Sequence, residues 1–204
     1  MLERARALGF TGVLIGNLGH LPLVRGLDFH LYGDYGLNVF NSRSLAYLKD
    51  KELESACVSF ELRFAQIRDL KKVLRAEAIV YGRLPLMITE NCLVQNETGC
   101  RLDRQGLCVP EDGPCRCGQP NVLVDRTGAA FPLLPAYGHR TEIQNSKPLY
   151  LADRPEHRRL GLAYARLRFT TETAEECVSV VQNYLDAAPA AGDFTRGLYE
   201  RGVE

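Results

Sequence analysis

Short apolar segments alternate with stretches of helical periodicity along most of the chain. Apolar runs such as Gly12–Ile15 and Ala78–Tyr81 predict strands, and Leu37–Phe40 predicts a short extended segment. Between such runs, apolar residues recur every three or four positions, which predicts helices over Glu61–Leu74 and Thr173–Leu185. Short strands that alternate with helices are typical of βαβ units built into a parallel sheet. The pattern therefore predicts the α/β fold class.

Local signals mark the ends of the predicted helices. Thr173 and Glu176 stand three residues apart and predict a capping box. Asn41 is the predicted N-cap of an earlier helix, and Gly9 closes the first one. The apolar stripe of the last helix is expected to be buried, and it comprises Val178, Val181 and Leu185.

The periodicity stops after Met87. Residues 90–120 combine cysteine with Asn, Gly, Pro and Asp and show no repeat. A structureless loop of this length is unusual in a compact domain, so we expect an ordered cysteine-rich insertion held by a metal. The pattern then resumes with Val122–Val124, a turn at Asp125–Gly128, and Phe131–Leu134, which predicts a β-hairpin.

Length and charge predict the number of domains and exclude some classes of function. The 204 residues predict a single domain, 1–204. Lys and Arg number 25 and Asp and Glu number 25, so the formal net charge is 25 − 25 = 0. This excludes a basic nucleic-acid coat but leaves a local basic patch open. Every apolar run is too short for a membrane helix and residues 1–8 lack the apolar core of a secretion signal, so we expect a cytoplasmic protein without a membrane partner.

Cysteine usage carries the clearest chemical signal. Five of the seven cysteines fall between positions 92 and 117. In a reducing compartment such a cluster indicates metal or iron–sulfur ligation rather than disulfides. Thiolates bind both structural zinc and iron–sulfur clusters, and the spacing alone does not choose between them.

Polar residues also follow several predicted strands, as at Asn17, Asp34, Glu61 and Arg83. In α/β barrels the functional groups lie at the carboxyl ends of the strands. Turn chemistry also explains Gly and Asn at strand ends, so both interpretations stay open.

Eight short strings in chain order carry a family resemblance. They are Gly16–Gly19, Leu37–Ser42, Ser59–Leu62, Tyr81–Met87, the cysteine segment, Asp125–Gly128 with Phe131–Pro132, Asn145–Ser146 and Phe194–Gly197. Together they resemble peptidase family U32, the collagenase-like peptidases, over nearly the whole chain. The resemblance implies a TIM-barrel-like α/β domain with a cysteine-rich segment after a strand end. It also implies strands before Gly12–Ile15, so we expect a partial barrel, completed by a missing N-terminal part or by a second chain.

The resemblance implies two different activities. The family is named for peptidases, whereas other relatives hydroxylate pyrimidines in rRNA or tRNA with an iron–sulfur cluster and a prephenate-linked pathway. The sequence contains neither His-Glu-x-x-His nor Gly-x-Ser-x-Gly. We therefore expect RNA hydroxylation, with a 4Fe–4S cluster and prephenate as co-substrate. A peptidase, and a non-catalytic binding module held together by zinc, stay as alternatives.

The predicted site residues fall into three groups. The pocket at the strand ends is expected to contain Glu61, Asn38 and Arg83. The cluster ligands are expected to be Cys92, Cys100, Cys115 and Cys117, with Cys108 or His139 as substitutes. Substrate binding is assigned to Asn17, Arg126, Arg140 and Asn145.

Overall fold

Two sheets organise the residues that the computed structural model describes, which are 1–99, 101–102, 108–109 and 115–202. The strands are β1 (Gly12–Ile15), β2 (His30–Gly33), β3 (Leu53–Cys57), β4 (Arg75–Gly82), β5 (Pro85–Thr89), β6 (Arg101–Leu102), β7 (Cys108–Val109), β8 (Asn121–Val124), β9 (Ala130–Ala136), β10 (Arg140–Gln144), β11 (Leu149–Tyr150) and β12 (Tyr164–Leu167). The α-helices are α1 (Leu2–Ala7), α2 (Leu21–Val24), α3 (Ser42–Asp50), α4 (Phe64–Asp69), α5 (Leu93–Thr98) and α6 (Ala174–Asp186). Short 3-10 helices span Leu18–His20, Tyr35–Leu37, Arg116–Gly118 and Pro155–Arg159.

The first sheet is mainly parallel and confirms the α/β class. Strands β1, β2, β3 and β4 are parallel neighbours, β12 pairs with β4 in parallel, and β11 pairs with the end of β4 in the antiparallel sense. Its core buries residues such as Leu45 on α3, Ile67 on α4 and Ile79 on β4. Among the described residues β1 and β12 do not pair, so this sheet does not close into a barrel.

The second sheet is antiparallel and lies between β4 and β11 in the chain. Its strand order is β5-β10-β9-β8, and β8 with β9 forms the predicted hairpin. Asp125 Oδ1 closes the hairpin turn by accepting hydrogen bonds from the backbone N–H groups of Thr127 and Ala129 at 2.8 and 3.0 Å. The cysteine-rich segment 90–120 is therefore the connection between β5 and β8 within a larger antiparallel unit.

Two local predictions are wrong in extent. The helix expected over 61–74 covers only α4, because the backbone of Leu70 is extended and the amide of Phe64 is fixed by the carbonyl of Tyr199. The segment expected to be extended over 37–40 instead contains the end of a 3-10 helix, followed by Asn38 in the left-handed region at φ 48°.

Helix α6 confirms its predicted cap and contradicts its predicted buried stripe. Thr173 Oγ1 accepts from the amide of Glu176, whose carboxylate accepts from the amide of Thr173 at 2.7 Å. Val178 and Leu185 are each 70% exposed. Val180 faces the core instead, because Tyr184 on the same face donates to the Val80 carbonyl and accepts from the Leu151 amide. None of the described helices is long and apolar enough to cross a membrane.

Candidate functional site

A network of charged side chains lies where the strands of the parallel sheet end. Arg166 on β12 donates to the Asp34 carboxylate, which follows β2 directly, and forms an ion pair with Glu77 on β4. We call these three residues, together with Tyr35, Glu142 and Arg168, the strand-end network. The side chains of Asp34, Glu77 and Arg166 are mostly buried, so their ion pairs are shielded from water more than surface pairs are.

Arg168 joins this network to the antiparallel sheet. Its guanidinium donates to Glu142 Oε1 at 2.7 Å and to Gln144 Oε1 at 2.6 Å, both on β10. It also donates to the backbone carbonyl of Arg83 at 2.7 Å and lies 5.5 Å from the centre of the Tyr35 ring. The side chains of Arg168 and Glu142 are each 16% exposed. Charge-assisted bonds in such surroundings are strong and directional.

The pKa values of Tyr35, a member of the network, and of Cys57, beside it, are both shifted. Burial, reinforced by the Glu142 carboxylate, raises the pKa of the Tyr35 hydroxyl. Burial also raises the pKa of the Cys57 thiol to about 12, although Arg166 opposes this shift. Because the thiolate is the reactive form of cysteine, Cys57 is held in its unreactive thiol form at neutral pH.

Of the described cysteines, Cys92 and Cys117 pack on the side of the antiparallel sheet that faces away from the strand-end network. Cys92 precedes α5 and is buried against Leu133 of β9 and Ile143 of β10. Cys117 packs against the same cluster, and its Sγ atom lies 2.8 Å from that of Cys115. Cys100 lies outside the described residues, and for Cys108 only the backbone, in β7, is described.

The sulfur atoms of these cysteines are suitable ligands for a soft metal, but their positions fit such a site only partly. Sulfur ligands of one tetrahedral metal lie about 3.8 Å apart, given metal–sulfur bonds of about 2.3 Å. Cys115 and Cys117 would therefore separate by about 1 Å to share an ion. Within the part of the chain that the structure describes, no group of three or more His, Cys, Asp or Glu side chains is placed to hold a metal.

The residues predicted for the pocket lie on separate segments, and no hydrogen bond or ion pair of the described residues joins them. Arg83 donates to the backbone carbonyls of Asn145, at 3.0 Å, and Ser146, so it joins two chain segments. Asn38 is an exposed left-handed cap. Glu61 is half-buried after β3, where its amide contacts Ser59 Oγ at 3.4 Å.

The residues predicted to bind substrate are also dispersed. Asn17 caps a 3-10 helix by accepting from the Gly19 amide at 2.7 Å. Arg126 is exposed in the β8–β9 turn, and Arg140 pairs with Glu90 at 3.0 Å. His139, a proposed substitute ligand, occupies the β9–β10 turn with φ 60°.

Sequence reasoning named Asp34 but missed the four other charged members of the network. The sequence signal that could have identified these residues is a charged residue within an apolar strand. Arg166 lies within β12, Arg168 directly follows that strand, and Glu77 interrupts the apolar run of β4. A charge that is buried in a strand needs a partner, and these residues are partners of one another.

Comparison with known proteins gives one match. The sequence model of peptidase family U32 matches residues 1–123, which include β1 to β5 and the cysteine-rich segment. No curated protein and no solved structure matches the chain. Because the match covers more than half of the 204 residues, the chain belongs to peptidase family U32.

Proposed function

We propose that this U32 protein hydroxylates a pyrimidine in rRNA or tRNA and that its cysteines bind an iron–sulfur cluster. The observation that carries the proposal is that Cys92 and Cys117 pack in one cluster, with Cys115 beside Cys117, against a sheet whose other face meets the strand-end network. These cysteines, with Cys100, would hold the cluster. Cluster chemistry supplies electron transfer when the group is bound.

In this proposal the chain's own residues hold and orient the reactants. The forked guanidinium donors of Arg166 and Arg168 suit a carboxylate or phosphate. A dicarboxylate such as prephenate would compete with Asp34 and Glu142 for these donors. Binding of an anionic co-substrate would thus exchange one ion pair for another rather than fill an uncompensated positive site.

Two observations favour this function over the peptidase alternative. The Cys57 thiol, beside the network, has a pKa raised to about 12 and is a poor nucleophile. His30 contacts the Glu54 carboxylate and His157 contacts the Arg154 carbonyl, and no described hydrogen bond joins either histidine to a Ser or Cys.

RNA contact is proposed for the antiparallel unit, where Arg116 and Arg126 are exposed. Residues 85–144 contain five arginines, no lysine and seven acidic residues, a balance of 5 − 7 = −2. We therefore expect few phosphate contacts and a shallow dependence of RNA affinity on salt concentration. Shape and base contacts would carry recognition instead.

Nucleoside mass spectrometry of cells that lack the gene tests this function. Loss of one hydroxylated pyrimidine, restored by the intact protein and by Cys177→Ser but not by Cys92→Ser, is the expected result. Cys177 is a matched control because it lies on α6, away from the antiparallel sheet. An unchanged nucleoside profile, together with gelatin cleavage by the purified protein, would favour the peptidase instead.

A completing polypeptide, either a missing N-terminal part of the barrel or a second chain, is also proposed. It is supported by the two outer strands of the parallel sheet, since β1 pairs only with β2 and β12 only with β4 among the described residues. Exposed backbone at such edges favours pairing with another strand. Native mass spectrometry of the purified chain checks this, and a stable monomer would contradict it.

A further inference from the structure

Strand β10 lies between the cysteine cluster and the strand-end network. The contacts of its side chains divide between two faces, although its pairing with β5 shifts register between Ile143 and Gln144. Thr141 Oγ1 accepts from the amide of Leu93 at 3.0 Å, and Ile143 packs against Cys92. Glu142 and Gln144 face the opposite way and both bind Arg168. One strand thus contacts the cysteine cluster with one face and the strand-end network with the other.

Arg168 is the residue that fixes β10 on the network side. Gln144 is fully buried and also donates to Glu142 Oε1 at 2.6 Å, so Arg168, Glu142 and Gln144 form a closed triangle of hydrogen bonds. The backbone of Arg168 is held equally closely. Gly82, with φ 116°, lies so near that a Cβ atom there would come within 2.0 Å of the Arg168 carbonyl oxygen.

Along the chain, the antiparallel sheet is connected to the parallel sheet only by the two segments that meet in this region. The segment that leaves β4 and the segment that returns to β11 run side by side, with the Asn145 amide donating to the Leu84 carbonyl at 2.8 Å. Arg83 crosses between the same two segments. The bonds of Arg168 to Gln144 and Glu142 extend this attachment beyond the junction and along β10.

We infer that Arg168 is a positioning residue that sets where the cysteine cluster lies relative to the strand-end network, acting through β10. The inference rests on the proposed function only in the use it assigns to the cysteines. The mechanical coupling itself is a property of the fold. Loss of the Arg168 bonds should therefore be felt across β10, at the Leu93 amide and at Cys92.

Hydrogen exchange of the purified protein tests the coupling without an activity assay. Arg168→Met removes the donors and keeps an unbranched side chain, and we expect about tenfold faster exchange of the Leu93 amide. Arg168→Lys keeps the charge without the fork and should restore part of the protection. Glu142→Gln removes the charge from the other partner and should give a smaller acceleration at the same amide.

Arg196→Met is the matched control. Arg196 binds Asp153 at 2.6 and 2.8 Å, donates to the Tyr150 carbonyl at 2.7 Å and lies 4.5 Å from the centre of the Phe194 ring, which parallels the surroundings of Arg168. The two ion pairs are similarly buried, with side chains 19% and 24% exposed at Arg196 and Asp153. Because Arg196 contacts the parallel part only, its variant should leave the Leu93 amide unchanged.

Several results would overturn the inference. Wild-type exchange at Leu93 in Arg168→Met, or equal acceleration in Arg196→Met, would show that Arg168 has no specific role. If Arg168→Met does not fold, wild-type exchange at Leu93 in Glu142→Gln has the same meaning. The nucleoside assay then tests the proposed use separately. Failure of the wild-type protein to restore a nucleoside refutes the proposed function and leaves the exchange result standing.

Discussion

The two sheets are stabilised in different ways. The parallel sheet has a continuous core in which residues such as Leu45, Ile67 and Ile79 are fully buried. The antiparallel sheet has a small cluster whose buried members include a cysteine, and its outer strands expose Leu86 and Val122. Apolar burial suffices for the first sheet. The second relies on its junction with the first and, we propose, on metal bound by its cysteines.

The largest test of this difference is removal of a cysteine ligand. Cys92→Ser should abolish metal binding and loosen residues 85–144, because ligation of a structural metal is worth about 10–16 kcal/mol for zinc. Strands β1 to β4 should keep their amide protection, since their core does not include Cys92. Metal analysis and hydrogen exchange on anaerobically purified protein measure both effects.

The control is Cys177→Ser, which changes the same atom on α6. It should bind as much metal as the wild type and leave residues 85–144 protected. If Cys92→Ser keeps its metal, Cys92 is not a ligand. If both sheets loosen together, they form one cooperative unit and the distinction drawn between them is wrong.

A matched pair of cavity-forming substitutions, one in each sheet, tests the same difference with a smaller expected loss of stability. Ile79 is 0% exposed in the parallel core and Ile143 is 8% exposed in the antiparallel cluster. We expect Ile79→Ala to lower the free energy of unfolding by about 3–5 kcal/mol and Ile143→Ala by about 2 kcal/mol or less, because a small cluster at the surface collapses more easily around a cavity. Urea unfolding measures both, and equal losses would contradict the ranking.

Sequence reasoning was most successful where one local signal decides one local structure. Gly12–Ile15 is β1 with the predicted bounds, Asn41 caps α3 by accepting from the amides of Arg43 and Ser44, and the capping box of α6 is present. In each case the pattern depends on neighbours in the chain. Such signals survive whatever the tertiary arrangement is.

Prediction failed where distant residues decide. The face of α6 that points inward is chosen by Tyr184, whose hydroxyl bonds to β4 and to the end of β11, and not by the number of apolar residues on a face. The strand-end network likewise unites residues from β4, β10 and β12. A local rule assigns Asn17 and Asn38 to turns, and it gives no reason to join Arg168 with Glu142.

The dependence of stability on alkaline pH tests the burial of one thiol, that of Cys57, in the core of the parallel sheet. Burial raises the pKa of Cys57 from 9.0 to about 12, so the unfolded chain releases this proton first as the pH rises. Stability from this group is complete below pH 9 and falls between pH 9 and about pH 12. Between pH 9 and 10 the loss from Cys57 alone should be about 1 kcal/mol, and the tyrosines whose pKa is raised by burial add a further loss as the pH approaches 10.

Cys57→Ala separates this effect from others. It lowers stability at neutral pH because it leaves a small cavity, and its free energy of unfolding should be flatter than that of the wild type between pH 9 and 10. Urea unfolding at both pH values gives the two slopes. Parallel curves would show that Cys57 ionises as easily in the folded protein as in the unfolded chain.

The smallest expected effect concerns the exposed stripe of α6, within the parallel part. Val178→Gln should change the free energy of unfolding by no more than about 0.5 kcal/mol, because the side chain already faces water and glutamine is a good helix former. Val180→Ala, two residues further along the same helix at a buried position, should cost about 1–2 kcal/mol. Thermal and urea unfolding of the two variants compare them directly. A large loss for Val178→Gln would mean that another polypeptide covers this stripe in solution, whereas equal small losses would mean that α6 contributes little to the core.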